Sequence, residues 1–172
     1  MDERGQRFRR LFDACYQPLI AYARRRASSA DADDLVAEVL MTAWRRLDDI
    51  PPDAELPWLY GVARRLMANQ QRGNVRRLRL FDRLVGERPP PRETPTPSSE
   101  ILEALEHLRP ADREVLRLAA WEELNAAEIA VVLGCTANAA ALRLSRARRR
   151  LRDELTAMDI IRTSPRRKVT DA

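Results

Sequence analysis

The sequence predicts an all-α protein made of two small helical domains. Three observations carry that reading. Apolar residues recur at spacings of three and four along most of the 172 residues. Glycine is scarce, at 5 residues, and aromatic residues make up 5%, so the runs that build sheets are missing. Five prolines crowd into the stretch GERPPPRETPTPSSE near the middle, where they remove backbone donors and push their predecessors out of the α region. That stretch predicts a linker at residues 86–98, dividing a lobe at 5–85 from a second at 99–156, with a flexible tail at 157–172.

Each element has a local reason. Phe8, Leu11, Phe12 and Cys15 form one apolar stripe, which Leu19, Ile20, Tyr22 and Ala23 resume after Pro18. Pro18 either opens a second helix or kinks a single one. From Asp31, DADDLVAEVLMTAWRRL has acids in its first turn, opposing the positive end of the helix dipole, and sets Leu35, Val39, Met41, Trp44 and Leu47 on or near one face. Pro51 and Pro52 end that helix. Pro57 suits a first helical position, followed by the stripe Trp58, Leu59, Val62, Ala63, Leu66 and Met67. The other face carries Arg64, Arg65, Asn69, Gln70 and Arg72, with Arg76, Arg77 and Arg79 beyond. Trp44 and Trp58, lying on apolar stripes, are expected in the core.

In the second lobe a serine caps SSEILEALEHL, and Pro110 begins a helix with Val115, Leu116, Leu118 and Ala119. Asn125 and Glu128 stand in the relation of a capping box. Gly134 can take the left-handed conformation of a tight turn, and Thr136 can cap the helix after it. This grammar is helix, turn, helix.

Charge adds chemistry to the fold. The net charge is +5 and the isoelectric point near 10.0. Almost all of the excess is arginine, because Lys168 is the only lysine. Guanidinium forks onto phosphate and guanine, so the balance points to nucleic acid. Arg143, Arg146, Arg148, Arg149, Arg150 and Arg152 follow the capped turn with no acid before Asp153. In a helix-turn-helix the second helix enters the major groove. Thr136, Asn138, Ala139 and Leu142 would then face bases, with Ser145 beside them, while Arg143, Arg146 and Arg149 clamp phosphates. Leu144, Ala147, Leu151 and Leu155 hold the helix to its lobe.

Other classes find no support. Cys15, Cys135 and the single His107 have no metal-ligand spacing, so no metal or cofactor is expected. No nucleophile elbow or phosphate-cradling glycine loop suggests an enzyme, and no catalytic residue is assigned. No run approaches the ~18 apolar residues of a membrane span, and the N-terminus has no apolar h-region, so the expected location is the cytoplasm.

Taken together, the two lobes resemble a bacterial RNA polymerase sigma factor of the extracytoplasmic-function group, in which regions two and four are joined by a linker. DADDLVAEVLMTAWRRL resembles the family's AEDLVQEVF helix, and LPWLYGVARRLMANQQR its WLYxIARN segment. LRPADREVLRLAAWEELNAAEIAVVLG followed by RLSRARRRL resembles its closing helix-turn-helix. The resemblance covers about residues 8–155. It implies promoter-specific initiation on core RNA polymerase, docked through the β′ clamp helices and the β flap, with an anti-sigma factor as a further partner and a monomeric free state.

Residue by residue, the resemblance implies that Asp34 and Glu38 help dock on core polymerase, with Leu35 and Val39 of the same docking helix serving its packing; the two acids also admit the plainer reading of helix N-terminal charges. It implies that the loop Asp48–Leu56, including Asp53, captures an unstacked minus-ten base. Trp58, Arg64, Arg65, Asn69, Gln70 and Arg72 would hold the non-template strand, and the Thr136–Arg149 face would read the minus-thirty-five duplex. The chain departs from the family at Ala37, where Gln is usual, and at Arg65, which replaces Asn. In the recognition helix, Asn138, Ala141 and Leu142 replace commoner residues, so the binding mode carries over while the base preference does not. The alternative reading is a free-standing helix-turn-helix regulator, which would bind half-sites as a dimer.

Overall fold

The computed structural model describes residues 3–81 and 99–163, and among these the regular structure is helical throughout. The proposed linker at 86–98 lies outside the described residues, as does the tail beyond Thr163.

Helix α1 spans Glu3–Arg24, α2 Ser29–Arg45 and α3 Glu55–Phe81. Pro18 neither starts a second helix nor ends the first; α1 runs through it. The stripe Leu11, Cys15, Leu19 and Tyr22 is buried on both sides of that proline, and its burial outweighs the one backbone hydrogen bond that a proline cannot make. Helix α2 begins before Asp31, because Ser28 is its N-cap and accepts from the Asp31 backbone N–H at 3.3 Å. Ala32, Leu35, Val36, Val39 and Ala43 make its buried stripe. Met41 and Trp44 fall off that stripe and are 52% and 42% exposed, contrary to the expected core position of Trp44. Trp58, by contrast, packs partly buried against the core. A 3-10 turn at Leu47–Asp49 buries Leu47 and precedes the prolines. Helix α3 starts at Glu55, so Pro57 sits within the first turn, where its missing N–H costs nothing.

In the second domain, α4 spans Ser99–His107, α5 Pro110–Ala120, α6 Ala126–Leu133 and α7 Ala137–Thr163. Pro110 is the first residue of α5, as its fixed φ favours. Asn125 caps α6 by accepting from the Ala127 and Glu128 N–H groups at 2.9 and 3.1 Å, and Glu128 accepts in return from the Asn125 N–H at 2.8 Å. Gly134 ends α6 at φ 65°, ψ 44°. Thr136 then accepts from the Ala139 N–H at 3.2 Å, starting α7. Helix α7 continues to Thr163, past the lobe boundary expected at 156.

The two domains share one core instead of standing apart. Helix α6 packs on α3, and a Cβ at Gly61 would stand 3.2 Å from the carbonyl oxygen of Val132. Beside this contact Tyr60 and Tyr22 stack at 4.5 Å, and the Arg26 guanidinium lies 3.7 Å over the Tyr22 ring. Arg26 reaches across to the second domain, pairing with Glu122 at 2.8 Å and Glu114 at 3.2 Å. Arg25 pairs with Glu122 as well. The side chains of Arg26 and Glu122 are 6% and 1% exposed. Burial works against the charge of Arg26, but its surroundings outweigh that penalty and hold it more firmly protonated than an ordinary arginine. Burial also pushes the Tyr22 hydroxyl up, out of the range where it could ionise.

Replacing Asn125 with Ala removes one side of the capping box, and we expect a loss of about 1 kcal/mol. Urea denaturation checks it: a lower midpoint with an unchanged slope is expected.

Candidate nucleic-acid interface

Three surfaces carry the residues singled out from the sequence. The first lies on α7. Ala140, Leu144 and Ala147 are 0%, 8% and 0% exposed and seat the helix on its own domain. At 100° per residue, Asn138, Leu142, Ser145 and Arg149 line the opposite side, and all four are exposed. Arg143 and Arg146 flank them on one edge and Arg148 on the other. Thr136 is exposed at the helix start, with its hydroxyl engaged as the cap, and Ala139 is half-buried. Arg150 departs from the reading of an uncompensated run, since it pairs with Asp112 of α5 at 2.6 Å. Among the described residues Arg143, Arg146, Arg148 and Arg149 pair with no carboxylate, so their field projects into solvent at a helix start already rich in N–H donors.

The second surface is the start of α3 with the loop before it. That loop is tied down from α1: Arg4 pairs with Asp48 at 2.9 Å and donates to the Trp44 carbonyl at 2.6 Å, and Arg7 donates to the Ile50 carbonyl at 3.0 Å. Arg46 pairs with Asp49 at 2.9 Å. Pro52 and Asp53 remain exposed at the tip of this anchored loop. On α3, Arg64, Arg65, Asn69, Gln70 and Arg72 are exposed, and Arg72 donates to Asn69. Trp58 is half-buried under the Arg46 guanidinium, 5.7 Å from its ring centre. The anchoring arginines at 4 and 7 escaped the sequence reading, because their partners Trp44, Asp48 and Ile50 lie in a distant segment.

The third surface is on α2. Asp34 and Glu38 are exposed and adjacent to exposed Ala37. Leu35 and Val39, expected to share in polymerase binding, are 1% and 0% exposed. They support the helix from beneath and cannot touch a partner. In their place an apolar groove of about 450 Å³ opens beside the acids, lined by Phe8, Ala37, Leu40, Met41, Trp44 and Arg45. Trp44 closes one wall, edge-on to Phe8 at 5.2 Å. The exposure of Met41 and Trp44 on a helix otherwise patterned for the core was the available signal.

Among the described residues no His, Cys, Asp or Glu cluster could hold a metal ion. Among the described residues no single helix is long and apolar enough to cross a membrane. His107 stands half-exposed at the end of α4, 3.6 Å from Glu154.

These surfaces define a helical protein with a helix-turn-helix in one domain and a basic, amide-bearing helix in the other. Residues 11–77 match the family model of sigma-70 region 2, and residues 98–151 match that of sigma-70 region 4. The chain is 30% identical over 143 residues to the extracytoplasmic-function RNA polymerase sigma factor EcfG of Rhodopseudomonas palustris, covering 80% of this chain and 79% of the relative. It is 32% identical over 151 residues to the RNA polymerase sigma-E factor of Streptomyces coelicolor, covering 83% and 82%. Among solved structures it is similar to the sigma factor RpoE in complex with the anti-sigma factor NepR from Bartonella quintana, with a TM-score of 0.65, 26% identity and 87% and 96% coverage. The chain belongs to the sigma-70 family, in its extracytoplasmic-function group. It is thus a sigma factor, which binds core RNA polymerase and directs promoter-specific initiation.

The thiols are placed for structure. Cys15 is 4% exposed, and burial with the nearby Glu55 charge pushes its pKa up to about 11. Alkylation of the native protein at pH 8 should therefore modify Cys135 and spare Cys15, and denaturation should expose both; mass spectrometry of the two peptides reads the difference.

Proposed function

We propose that the three surfaces divide the work of initiation. The exposed side of α7 reads the minus-thirty-five duplex: Asn138 and Leu142 meet base edges in the major groove, while Arg143, Arg146 and Arg149 grip the phosphates on either side. The anchored loop at Asp53 and the α3 face of Trp58, Arg64, Arg65, Asn69, Gln70 and Arg72 take up the melted minus-ten strand. Single-strand capture needs cations along the backbone and a fixed cleft for an unstacked base, and a loop pinned at both Asp48 and Ile50 supplies the rigidity. Asp34 and Glu38, beside the groove of Met41 and Trp44, dock on the β′ clamp helices of core polymerase, with apolar side chains supplying the buried centre and acids the rim. Region 4 contacts the β flap. The reaction itself belongs to the polymerase, and the factor works in the cytoplasm, where polymerase and promoter are.

The observation that carries this reading is the match of one chain to region 2 and then region 4 of sigma-70, each carrying exposed arginines. A half-site-binding regulator needs only one such face, repeated by symmetry. The anti-sigma factor bound to the Bartonella relative supports an inhibitor of the same kind here.

Run-off transcription with purified core enzyme tests the assignment. Promoter-dependent transcripts are expected only when the chain is added; duplex binding by the chain alone, with no initiation, would mean a free-standing regulator. Changing Arg146 and Arg149 together to Gln should weaken minus-thirty-five binding across sequences and reduce the slope of log K against log salt by about two. Asp34→Ala with Glu38→Ala should lower the capture of core polymerase while leaving the circular dichroism melt within about 0.5 kcal/mol, since both side chains are exposed.

A further inference from the structure

The loop that leads into α3 takes its direction from a different helix. Between Arg45, where α2 ends, and Glu55, where α3 begins, its own backbone hydrogen bonds are short in range. The Asp49 N–H donates to the Arg46 carbonyl at 2.9 Å, Ile50 to Leu47 at 3.3 Å and Ala54 to Pro51 at 3.1 Å. Leu47 and Ile50, 0% and 2% exposed, root the loop in the core. Bonds of that span shape a turn but do not aim it.

The aim comes from α1. Arg4 and Arg7 stand three positions apart on that helix and so share a face. Arg4 donates at 2.6 Å to the Trp44 carbonyl, one of the last four of α2 and therefore without a partner inside the helix. Arg7 donates at 3.0 Å to the carbonyl of Ile50, the C-cap of the 3-10 turn. Between the two lies Asp48, whose carboxylate pairs with Arg4 at 2.9 Å and meets Arg7 at 3.7 Å. Cations are favoured at the C-terminal ends of helices, where the free carbonyls point. Two guanidiniums thus fix the chain at Trp44, Asp48 and Ile50.

Stability alone is a poor reason for these contacts. The Asp48 side chain is 78% exposed, and an ion pair so open to water contributes little to folding. What the arginines fix is the course of the backbone. Pro51 and Pro52 follow at once, each with φ locked at about −65°, so the orientation set at Ile50 is carried stiffly to the exposed Asp53. On the other side Arg46 pairs with Asp49 at 2.9 Å, and its guanidinium lies 5.7 Å from the Trp58 ring centre, joining the turn to the α3 face.

We propose that Arg4 and Arg7 are positioning residues for minus-ten capture: from α1 they hold the loop at 48–56 in its receiving shape before DNA arrives. The proposal rests on the reading of that loop as the base-capturing one and adds what makes it selective. The two arginines act through the loop backbone and not by touching the base. An unpinned loop would have to be ordered by the strand itself, and the entropy of ordering would be subtracted from binding. It would also re-form around whichever base arrived, since flexible surfaces repack for different partners. A pinned loop offers one cleft, and only a base that fills it gains from being unstacked.

Two variants of the full chain, R4Q and R7Q, test this by removing charge and fork while keeping a polar side chain. In the free protein, hydrogen exchange read by mass spectrometry over residues 46–56 should be several-fold faster in either variant, with exchange in α5, α6 and α7 unchanged. In the holoenzyme, binding is measured to fork-junction probes from a promoter that the wild-type holoenzyme opens, each probe lacking one base in turn along the single-stranded minus-ten stretch. Wild type should lose about tenfold in affinity when the captured base is removed. In R4Q and R7Q that loss should shrink to about threefold or less, and exchanging the base for the other three should matter correspondingly less. Each loss is a ratio within one holoenzyme, so any change in core binding cancels, including one caused by Arg4 leaving its place 5.3 Å from the Trp44 ring centre. A merely structural role would weaken every probe alike and leave the ratio at its wild-type value. Unchanged loop exchange, or an undiminished loss on base removal in either folded variant, would overturn the proposal. If one variant loses its circular dichroism melt, the other decides; if neither folds, the arginines hold the domain together and the proposal fails. A wild type indifferent to every missing base would condemn the reading of the loop itself, whereas a sensitive wild type with equally sensitive variants would condemn the positioning role alone.

Discussion

Burial of Arg26 between an aromatic ring and two carboxylates is the constraint from which the arrangement of the molecule follows. A guanidinium at 6% exposure is tolerable only with its charge compensated, and both compensating groups belong to the other domain. Removing one partner from such a buried pair costs about 3–5 kcal/mol, because the remaining charge is stranded. Parting the domains rehydrates both partners, so the network fixes their relative position through its geometry and not through a large net stability. An apolar contact tolerates sliding, whereas a bidentate ion network does not.

That fixed position relates the three surfaces. Asp34, Glu38 and the groove on α2 are open to solvent, as are Arg143, Arg146, Arg148 and Arg149 of α7. On α3 it is Gly61 that meets α6, while Arg64, Arg65, Asn69 and Gln70 stay exposed.

Most of the local structure was readable from the sequence because its causes are local. The capping box of Asn125 and Glu128, the glycine turn at 134 and the proline start of α5 each depend on residues within four positions. The helix-turn-helix and its exposed arginines followed from those signals and from period 3.6 alone. Errors appeared where distant residues decided the outcome. Pro18 left a second helix and a kinked single helix both open, and burial of Leu19 and Tyr22 after it decided for the single helix α1. Trp44 looked like core until the stripe through Leu35 and Val39 turned it to the surface, where it walls a groove with Phe8 from another helix. Leu35 and Val39 entered the docking set by family resemblance, although their spacing already marked them as buried. Arg25, Arg26, Glu114 and Glu122 gave no signal at all, since a surface charge and a buried one are spelled alike, and only the fold shows which residues meet. For the same reason a proline-rich middle implied two separate bodies, while the packing of α6 on α3 is invisible to periodicity.

The central claim is that one chain carries two different promoter-reading faces that act at separate places on the same DNA. A footprint of the assembled holoenzyme on promoter fragments, combined with permanganate probing of unpaired thymines, tests it most directly. The account predicts two protected patches about 25 base pairs apart, with reactive thymines confined to the downstream one, and no such pattern from core or from the chain alone. A single symmetric patch bound by the chain without polymerase, with no unpaired bases, would contradict it.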